Sequence, residues 1–193
     1  MTTSSRATAL LGLAIINASK ALNDDLKTYS LKDLSGKSYS GQFVCDWTVK
    51  PGTDVEEPVI HYSYGYAAQL FILNDKGEIK KMIAAHDAGR IMNPLLFEGQ
   101  IEGGVHMGLG YALSEELPMK NGYLVNDNMR KLGILRAHET PEIIVKGVEV
   151  KDPVGPYGAK GIGEIGLVPT AAAVANAFFQ YDRIRRFSLP LKR

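Results

Sequence analysis

The chain has 193 residues, and 22 Lys and Arg against 21 Asp and Glu leave a net charge of +1. That balance, with no run of more than two basic residues, excludes a nucleic-acid grip built on a basic face. The single cysteine, Cys45, excludes an intrachain disulfide, a cysteine-rich zinc site and an iron–sulfur cluster held by this chain alone.

Thr3, Ser4 and Ser5 are N-cap residue types. Behind them Ala7, Leu11, Ala14, Ile15, Ala18 and Leu22 share one helical face, and Leu10, Leu13, Ile16 and Ala21 make the other faces apolar. This pattern predicts a largely buried helix, ended by Asn23, Asp24 and Asp25. Arg6 before the apolar run imitates a secretory signal, but the hydroxyl residues read better as a helix start, which favours the cytoplasm. Residues 26–41 read as a polar connector and 43–49 as a strand stopped by Pro51 and Gly52. Strands are expected at 67–73 and 78–84, joined by the turn Asn74-Asp75-Lys76-Gly77.

Pro94 opens a helical pattern that runs to about 117 and puts Leu95, Gly99, Glu102 and His106 on one stripe. Gly99, Gly103, Gly104, Gly108 and Gly110 each cost that helix up to about 1 kcal/mol against Ala. So many predict close approach of a partner helix, or of a ligand, to the backbone. A turn at Asn121-Gly122, a strand over 142–150, a Gly/Pro loop over 152–166 and a helix over 168–180 complete the chain. Hairpins interspersed with separate helices predict an α+β fold, a mixed sheet packed with long helices in a single domain over 1–193. No apolar run approaches the about 18 residues of a membrane-spanning helix.

Several apparent motifs lack their context. Gly161, Gly163 and Gly166 spell a dinucleotide fingerprint without a strand directly before it or a second strand after it. Gly36-Lys37-Ser38 lacks the earlier glycine of a phosphate loop, since position 31 is Leu31. His61, His86, His106 and His138 have no metal-ligand spacing and read as ordinary polar contacts.

Three features carry chemistry. Thr2, Thr3, Ser4, Ser5 and Arg6 offer hydroxyls and a guanidinium at a helix N-terminus, which suits an anion or polar heterocycle, or a simple cap. Gln100 sits among glycines, with a donor and an acceptor for an amide-like ligand, or within tight helix packing. Glu164 ends the glycine-rich loop after Lys160, Gly161, Ile162 and Gly163. Screened from water it would have a raised pKa and act as a general base; exposed, it would only stabilise a helix N-terminus.

Together the blocks TTSSRAT, HDAGRIMNPLLFEGQIEGGVHMGLGYALSEEL and GPYGAKGIGEIGLVPTAAAVANA resemble the xanthine dehydrogenase/aldehyde oxidase family of molybdenum hydroxylases. The match is to the C-terminal part of the molybdopterin-binding large subunit. The resemblance implies a molybdenum–molybdopterin cofactor whose metal is held by the pterin dithiolene, with no protein ligand. It implies oxidative hydroxylation of a purine carbon with water, by Mo–OH attack and hydride transfer to Mo=S, with Glu164 as base. Gln100 matches the glutamine that faces the cofactor, Thr2 to Arg6 the turn that binds the pterin and its phosphate, and Lys160 to Gly163 the segment near the dithiolene. Electrons would leave through iron–sulfur clusters and FAD on other domains or subunits. The remaining large-subunit domains would be partners, and the chain an excised C-terminal domain or split subunit, inactive alone. An aldehyde or another N-heterocycle as substrate, a non-catalytic assembly domain of the same fold, and a homo-oligomer stay open.

Overall fold

The computed structural model describes residues 5–59, 63–126 and 128–191. The chain divides into two compact units. One comprises Met1–Gly65, Ala88–Arg90 and Glu149–Gly161; the other comprises Tyr66–Asp87, Ile91–Val148 and Ile162–Arg193.

The first unit is built on a π-helical turn, Ala7–Leu11, that runs into α1, Gly12–Asp25. Arg6 occupies the cap position without a side-chain hydrogen bond, and Thr2, Thr3 and Ser4 lie outside the described residues. The predicted burial does not occur: α1 has no buried residue, and of the turn before it only Ala9 is buried. Leu11 and Ile15, one helical turn apart, are 58% and 56% exposed. What covers α1 within this unit is narrow. A Cβ on Gly41 would strike the backbone of Ala14 and Ala18, and Asn17 donates to the Gln42 carbonyl at 3.0 Å. At the helix end, Lys37 and Tyr39 donate to the Asp25 carboxylate and hold it below its ordinary range.

Among the described residues, 26–59 and 63–66 carry no helix or strand, so the connector extends through the expected strand at 43–49. The Phe43 and Trp47 rings meet edge to face with centroids 6.0 Å apart. Residues four apart in a strand are separated by about 13 Å, so this chain is bent. The N–H of Val49 donates to the Val59 carbonyl at 2.8 Å, with no ladder formed among the described residues.

The second unit comprises β1 (Ala67–Leu73), β2 (Ile79–Asp87), α2 (Pro94–Leu113), β3 (Met119–Lys120), β4 (Tyr123–Leu124), β5 (Glu142–Val148) and α3 (Thr170–Asp182). β1 and β2 form the expected antiparallel hairpin, and β5 adds to the far edge of β2 in parallel. A parallel neighbour needs a crossover, and the chain between β2 and β5 includes α2. The mixed sheet with separate helices is the α+β class expected. Alternation on β2 buries Met82, Ala84 and His86 completely, with Phe71 and Ile143 opposite Met82 in register. α2 buries Phe97, Ile101, Val105, Leu109 and Ala112, and α3 buries Val174 and Phe178.

Asn93 caps α2 by accepting from the N–H of Leu96 at 3.1 Å, ahead of Pro94. The helix stops at Leu113 rather than 117: the N–H groups of Ser114 and Glu115 both turn back to the Gly110 carbonyl. β5 ends at Val148, and α3 starts and ends two residues later than its apolar pattern suggests. No helix among the described residues is long and apolar enough to cross a membrane.

Candidate functional site

In the first unit, residues 152–161 fold as linked tight turns. The buried Asp152 carboxylate accepts from the Ser63 hydroxyl and from the N–H groups of Val154 and Gly155. The Gly158 carbonyl accepts from the N–H groups of Arg90 and Asp152, and Lys160 N–H donates to the Ala88 carbonyl at 3.0 Å. This path delivers Gly161 so close to Ser5 that a Cβ there would collide with the serine. Two of the sequence blocks, far apart in the chain, therefore meet at Ser5 and Gly161. Arg6 is exposed and Lys160 half-buried.

In the second unit, α2 presents Gln100, whose amide N–H donates to the Gly163 carbonyl at 2.5 Å across 63 positions. The helix block and the glycine-rich block meet here. Ile162 and Gly163 are half-buried, and Glu164 is exposed, so the screening from water expected of this carboxylate is not supplied by this chain by itself. The helix-capping alternative also lacks its geometry. α3 opens only at Thr170, well beyond Glu164, whereas a helix dipole acts over its first turn.

Four of the five glycines of α2 sort into two groups. A Cβ on Gly104 would lie 3.0 Å from Gly166 Cα, and one on Gly108 would lie 2.6 Å from Thr170 Cβ, so these admit the segment leading into α3. A Cβ on Gly99 or Gly103 would meet nothing within 4 Å among the described residues. These two glycines share the outward stripe of α2 with exposed Leu95, Met107 and Tyr111, whereas Glu102 and His106 are half-buried. Close packing thus accounts for Gly104 and Gly108, while Gly99 and Gly103 leave the outer stripe of α2 open.

Each unit by itself presents groups that suit an organic cofactor carrying a phosphate. Gln100 uses its amide N–H on Gly163, and its Oε1 meets no donor among the described residues. In the second unit Gly99 and Gly103 leave main chain uncovered on either side of Gln100; in the first unit, taken by itself, Ser5 carries a hydroxyl and Arg6 and Lys160 carry cations. Among the described residues no group of His, Cys, Asp or Glu is arranged to hold a metal ion.

Two polar residues that sequence reasoning did not single out matter here. Asp152 had a signal: Asp before Pro, with N–H groups two and three residues on, is a turn-forming pattern. Gln69 had none. Its side-chain amide donates to the Gly166 carbonyl at 2.8 Å and faces His86 Nε2 at 3.1 Å, so the imidazole accepts on Nε2 and carries its proton on Nδ1. Gln69 Oε1 and His86 Nδ1 are buried without a partner among the described residues. Burial pushes the His86 pKa below 6.5. The unfolded imidazole then takes a proton that the folded one refuses. Stability from this group is full above about pH 6.5 and is lost as pH falls toward the folded value. Urea unfolding of the chain between about pH 8 and about pH 5 should show that loss, and a His86→Gln variant should flatten it.

The second unit, a mixed sheet with two helices, presents a side-chain amide and uncovered main chain of the kind that suits an organic ligand. A family model for a molybdopterin cofactor-binding domain matches residues 31–141, more than half of the chain. The chain belongs to that family, the one its three sequence blocks resemble. It is 37% identical over 169 residues to the xanthine dehydrogenase molybdenum-binding subunit of Escherichia coli O157:H7, covering 84% of this chain and 22% of that one. It is 32% identical over 156 residues to the aldehyde oxidoreductase molybdenum-binding subunit PaoC of Escherichia coli K12, covering 78% of this chain and 21% of that one. The aldehyde oxidoreductase of Desulfovibrio gigas shares the fold: the TM-score is 0.76 over 98% of this chain and 22% of that chain, at 24% identity. The chain thus spans about a fifth of the length of these relatives.

Proposed function

We propose that this chain is the part of a molybdenum hydroxylase large subunit that carries the catalytic base and a share of the cofactor cradle. The reaction is oxidative hydroxylation of a purine carbon, such as that of xanthine or hypoxanthine, with water as the oxygen source. The observation that carries this reading is the hydrogen bond from Gln100 to Gly163, which joins two of the three family blocks beside the uncovered glycines of α2.

When bound, the cofactor supplies a molybdenum centre that takes up two electrons. This chain's residues do the rest of what is assigned to it. The first unit offers Thr2, Thr3, Ser4, Ser5 and Arg6 to the pterin and its phosphate, with the main chain at Lys160 and Gly161. The second unit offers the Gln100 amide to orient the heterocycle and the main chain at Ile162 and Gly163. Glu164 takes the proton released as the water-derived oxygen bonds to carbon. The remaining large-subunit domains cover Glu164 and complete the pocket. Iron–sulfur and FAD domains or subunits carry the electrons away, in the cytoplasm.

The experiment is a substrate comparison on the assembled enzyme with an artificial electron acceptor. Xanthine and hypoxanthine should turn over with higher kcat/KM than an aromatic aldehyde. A reversed order would reassign the substrate to the aldehydes. A molybdenum-loaded enzyme inert toward both classes would leave another N-heterocycle as substrate or a non-catalytic assembly domain. The 193-residue chain alone should retain no stoichiometric molybdenum by metal analysis.

A further inference from the structure

Asp152 stands at the base of the turn that ends in Lys160 and Gly161. It is only 6% exposed. Its Oδ1 accepts from Val154 N–H at 2.8 Å and Gly155 N–H at 2.7 Å, and its Oδ2 accepts from the Ser63 hydroxyl at 2.9 Å. Its own N–H donates to the Gly158 carbonyl at 3.0 Å, where Arg90 N–H converges at 2.9 Å. One residue therefore holds the turn at both ends, at 154–155 through its side chain and at 158 through its backbone.

Between those ends Tyr157 adopts φ +54°, the left-handed region that a bulky side chain avoids. Such strain persists only where the surroundings over-determine it. Burial of the ring does not compensate, because Tyr157 is 72% exposed. The turn is therefore imposed on this residue from outside. What the imposed geometry fixes is its exit. Ala159 N–H donates to the Pro156 carbonyl, Lys160 N–H to the Ala88 carbonyl, and Gly161 arrives against Ser5.

We propose that Asp152 is a positioning residue that imposes the 154–158 turn on Tyr157 and thereby sets the main chain at Lys160 and Gly161, beside Ser5, for the cofactor. This rests on the cofactor-binding reading given above. Without the carboxylate, the Val154 and Gly155 N–H groups lose their acceptor and Tyr157 relaxes toward negative φ. Asparagine keeps one oxygen for both N–H groups and turns an amide toward Ser63, whose hydroxyl can accept.

The test combines Asp152→Ala, Asp152→Asn and the double variant Asp152→Ala with Tyr157→Gly, read two ways. In the 193-residue chain, hydrogen exchange at the Val154 and Gly155 amides should accelerate at least about tenfold in Asp152→Ala. In the assembled enzyme, molybdenum and pterin retained after prolonged dialysis should fall about tenfold in Asp152→Ala, as for supporting residues around other cofactors. Asp152→Asn should retain most of the cofactor. The double variant should recover retention, because glycine takes the left-handed conformation without cost; it also serves if Asp152→Ala alone does not fold. Recovery of thermal stability without recovery of cofactor retention would overturn the positioning role. A fully loaded Asp152→Ala enzyme would overturn it too, leaving the cofactor-binding reading intact. A wild-type enzyme that never holds molybdenum would overturn both.

Discussion

Replacing Glu164 by Gln removes turnover from the assembled enzyme while its molybdenum content stays that of the wild type. The amide has the size of the carboxylate and cannot take up a proton at its oxygen under working conditions. Loss of a general base costs about 10²- to 10⁴-fold in rate. The substitution leaves the fold alone, because the Glu164 side chain is exposed, and it is the main-chain carbonyl that anchors the next turn, accepting from Leu167 N–H at 3.2 Å. Substitutions at such surface positions change stability by no more than about 0.5 kcal/mol. Steady-state rates, metal analysis and thermal unfolding of the same preparation separate the three quantities. Turnover within a few-fold of the wild type would strip Glu164 of its assigned role.

Two alanine substitutions five residues apart on α2 should move stability in opposite directions. At Gly108 the new methyl would sit 2.6 Å from Thr170 Cβ and 3.0 Å from its Cγ2. Thr170 is fully buried, and its hydroxyl donates to the Gly166 carbonyl at 2.9 Å, so it has no room to give. Overpacking of this kind costs about 1–3 kcal/mol. At Gly103 the methyl meets nothing within 4 Å, and the helix gains up to about 1 kcal/mol from replacing glycine. Denaturant unfolding of the 193-residue chain gives both signs. The proposed function adds a condition. If the cofactor approaches the uncovered side of α2, Gly103→Ala stabilises the chain and yet lowers molybdenum retention in the assembled enzyme. Unchanged retention would mean that nothing approaches α2 on that side.

Legibility along the chain followed the range of the interactions involved. The hairpin of β1 and β2, the cap at Asn93 and the helix beginning at Pro94 were readable because alternation, turn residues and capping residues are local signals. The strand expected at 43–49 had the apolar content of one but no strand to pair with among the described residues, and a strand without a ladder is only an extended segment. The apolar faces of α1 were read correctly as sequence and wrongly as burial, because burial depends on what packs against a helix. Gln100, Gly161 and Gly163 were visible through the family blocks, but the contacts of Gln100 with Gly163 and of Gly161 with Ser5 are long-range facts that no local pattern encodes. Gln69 escaped notice for the same reason: its partners, His86 and Gly166, lie on other elements.

The parallel pairing of β5 with β2 bears on how the second unit comes into being. Its register sets Lys81 against Glu142, whereas the neighbouring hairpin joins residues close in sequence. Closing the longer loop carries an entropic penalty before any ladder bond rewards it. The hairpin can therefore assemble while the ribosome is still translating downstream codons, but the three-stranded sheet must wait for residue 148 to emerge. During that interval the edge of β2 that β5 will cover presents unpaired N–H and C=O groups, the kind of edge on which another strand can add.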